Sequence, residues 1–146
     1  MLTYRDYVYS VMTDYNAAQV AVVTIPEQIE TERSRRESLR AAKTDGDRVQ
    51  GGEGQTDDAW LTSIAREDYL KARLDMSRHV IETVEEVLRR LDDEETEIVT
   101  RLILQRGHNT TARLAEDWGV DESTVFRAKS RVLKKLALML TGEARA

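Results

Sequence analysis

Residues 110–130 read TTARLAEDWGVDESTVFRAKS, two short helical patterns either side of a single glycine. Leu114, Trp118, Val120, Val125 and Ala128 are the apolar positions that seal such a pair into a miniature core. Ala115 is small where the first helix must let the second pass closely. Gly119 sits at the junction, where a positive φ carries no Cβ penalty. Asp121 is placed to cap the second helix, its carboxylate accepting from first-turn N–H groups. Glu122, Ser123, Thr124, Phe126, Arg127, Lys129, Ser130 and Arg131 are left on the outer side. This is the pattern of a helix-turn-helix, whose second helix enters the major groove of double-stranded DNA. The plainer alternative is an αα-corner that packs on a partner.

Composition bounds what surrounds this motif. A chain of 146 residues has room for one modest domain, or for a small domain with an extended arm. With 34% charged and 5% aromatic residues it has little material for a thick core. Cysteine is absent, which excludes disulfides and thiolate metal sites and suits a reducing cytosol. The longest apolar run, Ala17 to Val23, is broken by Gln19 and far too short to span a bilayer. Arg5 and Asp6 stand where a secretory signal would place a basic segment before an apolar block. The expected location is therefore the cytoplasm, with no membrane partner.

A net charge of −5 seldom accompanies nucleic-acid binding until it is divided along the chain. Residues 1–44 are neutral, residues 45–105 carry −8 and residues 106–146 carry +3. Positive charge is thus concentrated beside the second helix of the motif. Attraction to phosphate is local over a screening length of about 8 Å, so the local sign outweighs the total.

From Tyr4 the apolar residues alternate four and three apart: Tyr4, Val8, Val11, Tyr15, Ala18, Val22, Ile25 and Ile29. This is a heptad seam on an α-helix. It fades across Glu32 and Arg36 and returns at Leu39. Pro26 cannot donate to the carbonyl one turn back, which predicts either a kink near Thr24–Pro26 or two abutting helices. Thr24 with Glu27 offers a capping box for a restart. Residues 44–58 contain four glycines among polar and acidic residues and read as a mobile loop. A phosphate-binding glycine loop is excluded there, for want of a Gly-Lys-Ser/Thr ending.

A second long helix is expected from Trp60 to Leu91, with its seam at Leu70, Leu74, Ser77, Ile81, Val84, Leu88 and Leu91. Two such arms joined by one loop most simply fold back as an antiparallel helical hairpin, whose seam is also able to take up a second copy as a homodimer. Asp92 and Glu95 then form a capping box for a helix ending at Gly107, with Ile98, Leu102 and Ile103 or Leu104 as its buried stripe. The last helix runs on through Val132, Leu133, Leu136, Ala137 and Leu140 to Gly142. The reading is an all-α chain: a hairpin arm over residues 1–91 and a small helix-turn-helix domain over 92–146.

Enzymatic chemistry finds no foothold. His79 lies on a charged helix face and His108 on a turn, with no ligand spacing around either. Glu85-Glu86 and Asp92 to Glu95 are consecutive carboxylates, which solvate a helix more often than they make an acid–base pair. No catalytic residue, cofactor or metal is expected.

The last third of the chain resembles region 4 of bacterial sigma factors. The likeness rests on Leu91-Asp92 with Glu95, on Gly107, and on Thr111, Leu114-Ala115, Trp118-Gly119-Val120 and Ser123-Thr124-Val125. The closing Arg127 with Arg131-Val132-Leu133-Lys134-Lys135-Leu136 is similar in kind. A helical hairpin ahead of such a module resembles, in layout, the ArpU/RinA-like phage late-gene transcriptional regulators. That resemblance implies activation of phage or prophage late promoters, with RNA polymerase as a partner.

On this reading Glu122, Ser123, Thr124, Phe126, Arg127 and Ser130 face base edges. A carboxylate can accept from a cytosine amino group, and Phe126 can pack on a thymine methyl. Thr110, Thr111, Arg113, Lys129, Arg131, Lys134 and Lys135 hold phosphates, with Thr110 and Thr111 also able to cap the motif's first helix. Two other readings share the same parts. A small-terminase-like DNA-packaging protein would assemble as a ring, and a coiled-coil adaptor would bind RNA polymerase while barely touching DNA.

Overall fold

A computed structural model of the protein describes residues 3–44, 52–105 and 107–141. It is all-α, with five α-helices and no strand among the described residues. Helix α1 spans Tyr4–Thr44, α2 Gly52–Leu88, α3 Asp93–Ile98, α4 Thr110–Trp118 and α5 Glu122–Thr141. A π-helical turn, Val99–Leu104, continues α3. No helix among the described residues is long and apolar enough to cross a membrane.

The chain forms two compact units: Ala18–His79, and Met1–Ala17 together with Val80–Ala146. The division falls inside both long helices, whereas the sequence predicts it after Leu91. Burial explains the difference. Val8, Met12 and Tyr15 of α1 and Val84 and Val87 of α2 share one core with Ile98, Leu102, Leu114, Val125 and Leu133. The first and last turns of the supposed arm therefore complete the C-terminal core.

Within Ala18–His79, α1 and α2 pair antiparallel: Ile25 and Ile29 pack on Leu74, while Glu32 and Arg36 meet Ser63 and Glu67. Pro26 does not divide α1, which is one continuous helix, so the expected alternative of two abutting helices is corrected. A proline in a helix interior costs about 3 kcal/mol. Ile25 and Ile29 on either side of it are both buried, and each contributes roughly 1.5–3 kcal/mol, enough to offset that cost.

The seam does not lapse at Glu32 either; it changes chemistry. Glu32, Ser63 and Glu67 are buried at seam positions. The Ser63 hydroxyl donates to Glu32 Oε2 at 2.8 Å and accepts from Arg36 Nη1 at 3.2 Å. Glu67 Oε1 accepts from Arg36 Nη2 at 2.6 Å and from Arg33 Nε at 3.1 Å, and Lys71 Nζ lies 2.9 Å from Glu67 Oε2. Helix α2 begins at Gly52, so residues 52–58 of the expected loop are helical, while residues 45–51 lie outside the described set. At its other end α2 stops at Leu88, three residues short of expectation. Arg90 and Leu91 donate instead to Val87 and Leu88, a tightened turn that satisfies two end carbonyls.

Lys71 above all, then Arg36 and Arg33, hold the Glu67 carboxyl from 4.5 down to about 2, against the opposing effect of burial. The folded-state value lies below the unfolded one. The ionised group's stabilisation is therefore complete above about pH 4.5 and is lost as pH falls from there toward 2. Urea unfolding followed by circular dichroism should show Glu67→Gln clearly less stable than the parent near neutral pH. The gap should narrow as the pH is lowered into that window.

Candidate nucleic-acid interface

The turn between α4 and α5 is built from backbone hydrogen bonds. Gly119 adopts φ 66° and ψ 37°, the left-handed conformation anticipated from the sequence. Its N–H donates to the Glu116 carbonyl at 3.1 Å, and the Val120 N–H reaches back to the Ala115 carbonyl at 3.0 Å. Together these make a Schellman closure of α4. The Asp121 carbonyl then accepts from Thr124 at 3.0 Å and Val125 at 3.4 Å, which starts α5. Ahead of the pair, Asp92 and Glu95 form the expected reciprocal capping box of α3.

Helix α5 is sharply two-sided. Val125, Ala128, Val132, Leu133, Leu136 and Ala137 are buried. Glu122, Ser123, Phe126, Arg127, Arg131 and Lys134 are exposed, Phe126 to 52%. Arg127 Nη2 donates to the Thr124 hydroxyl at 3.4 Å, and Thr124 itself is half-buried. Val120, expected to seal the helix pair, is 40% exposed instead. Trp118 sits at the edge of the core, its Nε1 donating to Glu97 Oε2 at 3.2 Å.

Three of the expected contacts turn toward the protein. The Ser130 hydroxyl accepts from Arg5 Nη2 at 2.8 Å. The Lys129 ammonium stands 5.6 Å from the centre of the Tyr9 ring. Lys135 Nζ is 2.8 Å from Glu95 Oε1, so it secures α5 to the cap of α3. Thr110 and Thr111 are half-buried in the first turn of α4, and neither is its N-cap. That place belongs to Asn109 at φ 58°, which makes no side-chain capping bond. The expectation that a threonine caps α4 is thereby corrected. Arg113 and Thr110 line a cleft of about 270 Å³ with Arg101, Gln105, Gly107 and His108.

Arg101 is the structural residue that sequence reading missed. It bridges Glu97 at 3.1 Å and Asp117 at 2.7 Å, and the two carboxylates raise its pKa, Asp117 first. Glu97 thus ties Arg101 to Trp118 and holds the π-helical turn against α4. The i,i+4 spacing of Glu97 and Arg101 is a visible signal, but Asp117 has none. The π-helical turn is likewise unannounced. Its Gln105 N–H donates to the Thr100 carbonyl at 3.0 Å, while the pairs Ile98/Leu102 and Val99/Ile103 are all buried.

This architecture, a two-helix motif on an all-α core, defines the class of fold. No family model, no curated protein and no solved structure matches the chain.

A Cβ on Gly119 would meet nothing within 4 Å, so any penalty for substitution there is purely conformational. Gly119→Ala should destabilise the protein by about 1–2 kcal/mol in chemical denaturation, and Gly119→Asn by less, because asparagine tolerates the left-handed region. Equal losses for the two would point to a steric cause instead.

Proposed function

We propose that the protein is a sequence-specific double-stranded DNA-binding regulator of transcription that reads its site with the outer face of α5. One observation carries the reading: α5 is held rigidly by its buried stripe, yet presents Ser123, Phe126, Arg127, Arg131 and Lys134 to solvent on its free side. A phenylalanine left 52% exposed among cations suits the floor of a major groove, where thymine methyl groups offer apolar contact. Arg127 is the base-reading side chain of choice for guanine, and Arg131 and Lys134 flank it as phosphate ligands. Glu122, at the first turn, accepts from a cytosine amino group and is repelled by the acceptor edges of guanine and thymine.

The contribution of Ser130, Lys129 and Lys135 is indirect on this reading. Their partners Arg5, Tyr9 and Glu95 orient α5, and the direct set contracts to Glu122, Ser123, Phe126, Arg127, Arg131 and Lys134, with Arg113 at the neighbouring helix. The resemblance to sigma region 4 and to phage late-gene regulators supports a promoter as the site and RNA polymerase as a partner. DNA packaging and a polymerase adaptor that leaves DNA alone are the competing outcomes.

Selection of bound duplexes from a random pool, followed by titration against salt, tests the reading. A specific consensus should emerge, and the logarithm of affinity should fall with the logarithm of salt at about −0.9 per phosphate contact. Arg127→Ala should cost about 1–3 kcal/mol and relax preference at one base pair. Lys134→Ala should weaken all duplexes alike and lower the salt slope by about one. Absence of duplex binding at low salt would sink the proposal.

A further inference from the structure

Helix α2 carries two stripes in its heptad pattern. Ser63, Glu67, Leu70, Leu74 and Ser77 face α1 and are buried or half-buried. A second series, Thr62, Ala65, Tyr69, Ala72, Met76 and His79, also alternates three and four apart, and every member is exposed. None of the six bears a formal charge with histidine neutral. Between them, seven positions belong to neither stripe, and six of these, Arg66, Asp68, Lys71, Arg73, Asp75 and Arg78, are charged; Ile64, 37% exposed, is the exception. Singly exposed apolar residues are ordinary on protein surfaces, but this sorting by heptad position is not. Tyr69 and Met76 are 65% and 57% exposed, and they alternate with alanines small enough to let another helix approach.

We propose that this outer stripe is a homodimer seam, against which α2 of a second copy lies parallel and in register. Large and small residues in alternation form the knobs and holes of such a pair. The orientation follows from charge. Asp68 and Asp75 line one flank of the stripe, and Arg66 and Arg73 line the other. A parallel pair sets the acidic flank of each copy against the basic flank of the other, and in register it matches Asp68 with Arg73 twice, the g-to-e′ relation of an ordinary coiled coil. An antiparallel pair would set acid against acid and base against base. Arg73 already lies along the stripe, with Nη1 3.9 Å from Met76 Sδ. Arg66 also reaches Glu32 of α1 at 3.6 Å, so the pairing leans on Arg73. The inner seam is satisfied within the chain, which leaves the outer stripe as the face for a second copy. The inference does not depend on DNA binding.

Sedimentation equilibrium of the full chain across the micromolar range tests it. The parent should show a reversible monomer–dimer equilibrium. Tyr69→Asp and Met76→Asp should each give monomer with the helical circular dichroism intact, since both side chains are exposed. Asp68→Arg and Arg73→Asp should each weaken the dimer roughly fivefold, and the double exchange should restore it. The chain lacks cysteine, so Ala65→Cys supplies a single thiol. A parallel, in-register pair brings it to its own copy and yields a disulfide-linked dimer on oxidation, whereas an antiparallel pair puts it opposite a different residue and yields none. A parent that stays monomeric throughout overturns the proposal. So does a dimer indifferent to both aspartate variants, or one that Ala65→Cys fails to cross-link.

Discussion

Water must be kept from the inner stripe of α5, and most of what the C-terminal unit presents to solvent follows from that. Val125, Leu133 and Leu136 are fully buried, and Ala128, Val132 and Ala137 nearly so. Each large aliphatic side chain contributes about 1.5–3 kcal/mol by leaving water, so a rotation of the helix that exposed even two of them would consume a large share of a domain's net stability. The direction of Ser123, Arg127 and Lys134 is therefore set from behind. What these residues meet is decided by the burial of residues one or two positions away.

Around that stripe, polar contacts hold the neighbouring elements. Glu97 accepts from Trp118 and pairs with Arg101, which in turn reaches Asp117. Lys135 holds the capping carboxylate of Glu95, so the same acid that closes the start of α3 also secures the middle of α5. Arg5 and Tyr9 approach α5 from the beginning of the chain. Two sequence-distant segments, the start of α1 and the cap of α3, thus converge on one helix, and the side chains they engage are withdrawn from its free face.

The Ala18–His79 unit shows a different balance. Its apolar seam at Ile25, Ile29 and Leu74 gives way to Glu32, Ser63, Arg36 and Glu67 without any break in heptad phase. Ionic and hydroxyl groups in a seam rarely add stability over hydrocarbon. They do penalise misalignment, because a shifted register would leave buried carboxylates unpaired. The antiparallel pairing of α1 and α2 is consequently tied to one alignment by groups whose spacing is legible and whose chemistry obscures it.

Local rules were enough to foresee the capping box of Asp92 and Glu95, the left-handed Gly119, the amphipathic division of α5 and the helical character, though not the continuity or the bounds, of the two long helices, because each depends on residues within a turn or two. Expectations failed where distant residues supplied the missing partner. Glu32 and Arg36 looked like a gap in the seam because their acceptors and donors lie on the other helix. Ser130, Lys129 and Lys135 looked free because Arg5, Tyr9 and Glu95 are far along the chain. Pro26 looked like a break because the burial that keeps α1 continuous comes from Leu74 packed on Ile25 and Ile29. The order of residues alone determined periodicity, caps and the turn, which are short-range consequences of backbone geometry. Only the tertiary structure decided which polar side chains stay open to solvent, since that depends on which remote segment arrives to satisfy them.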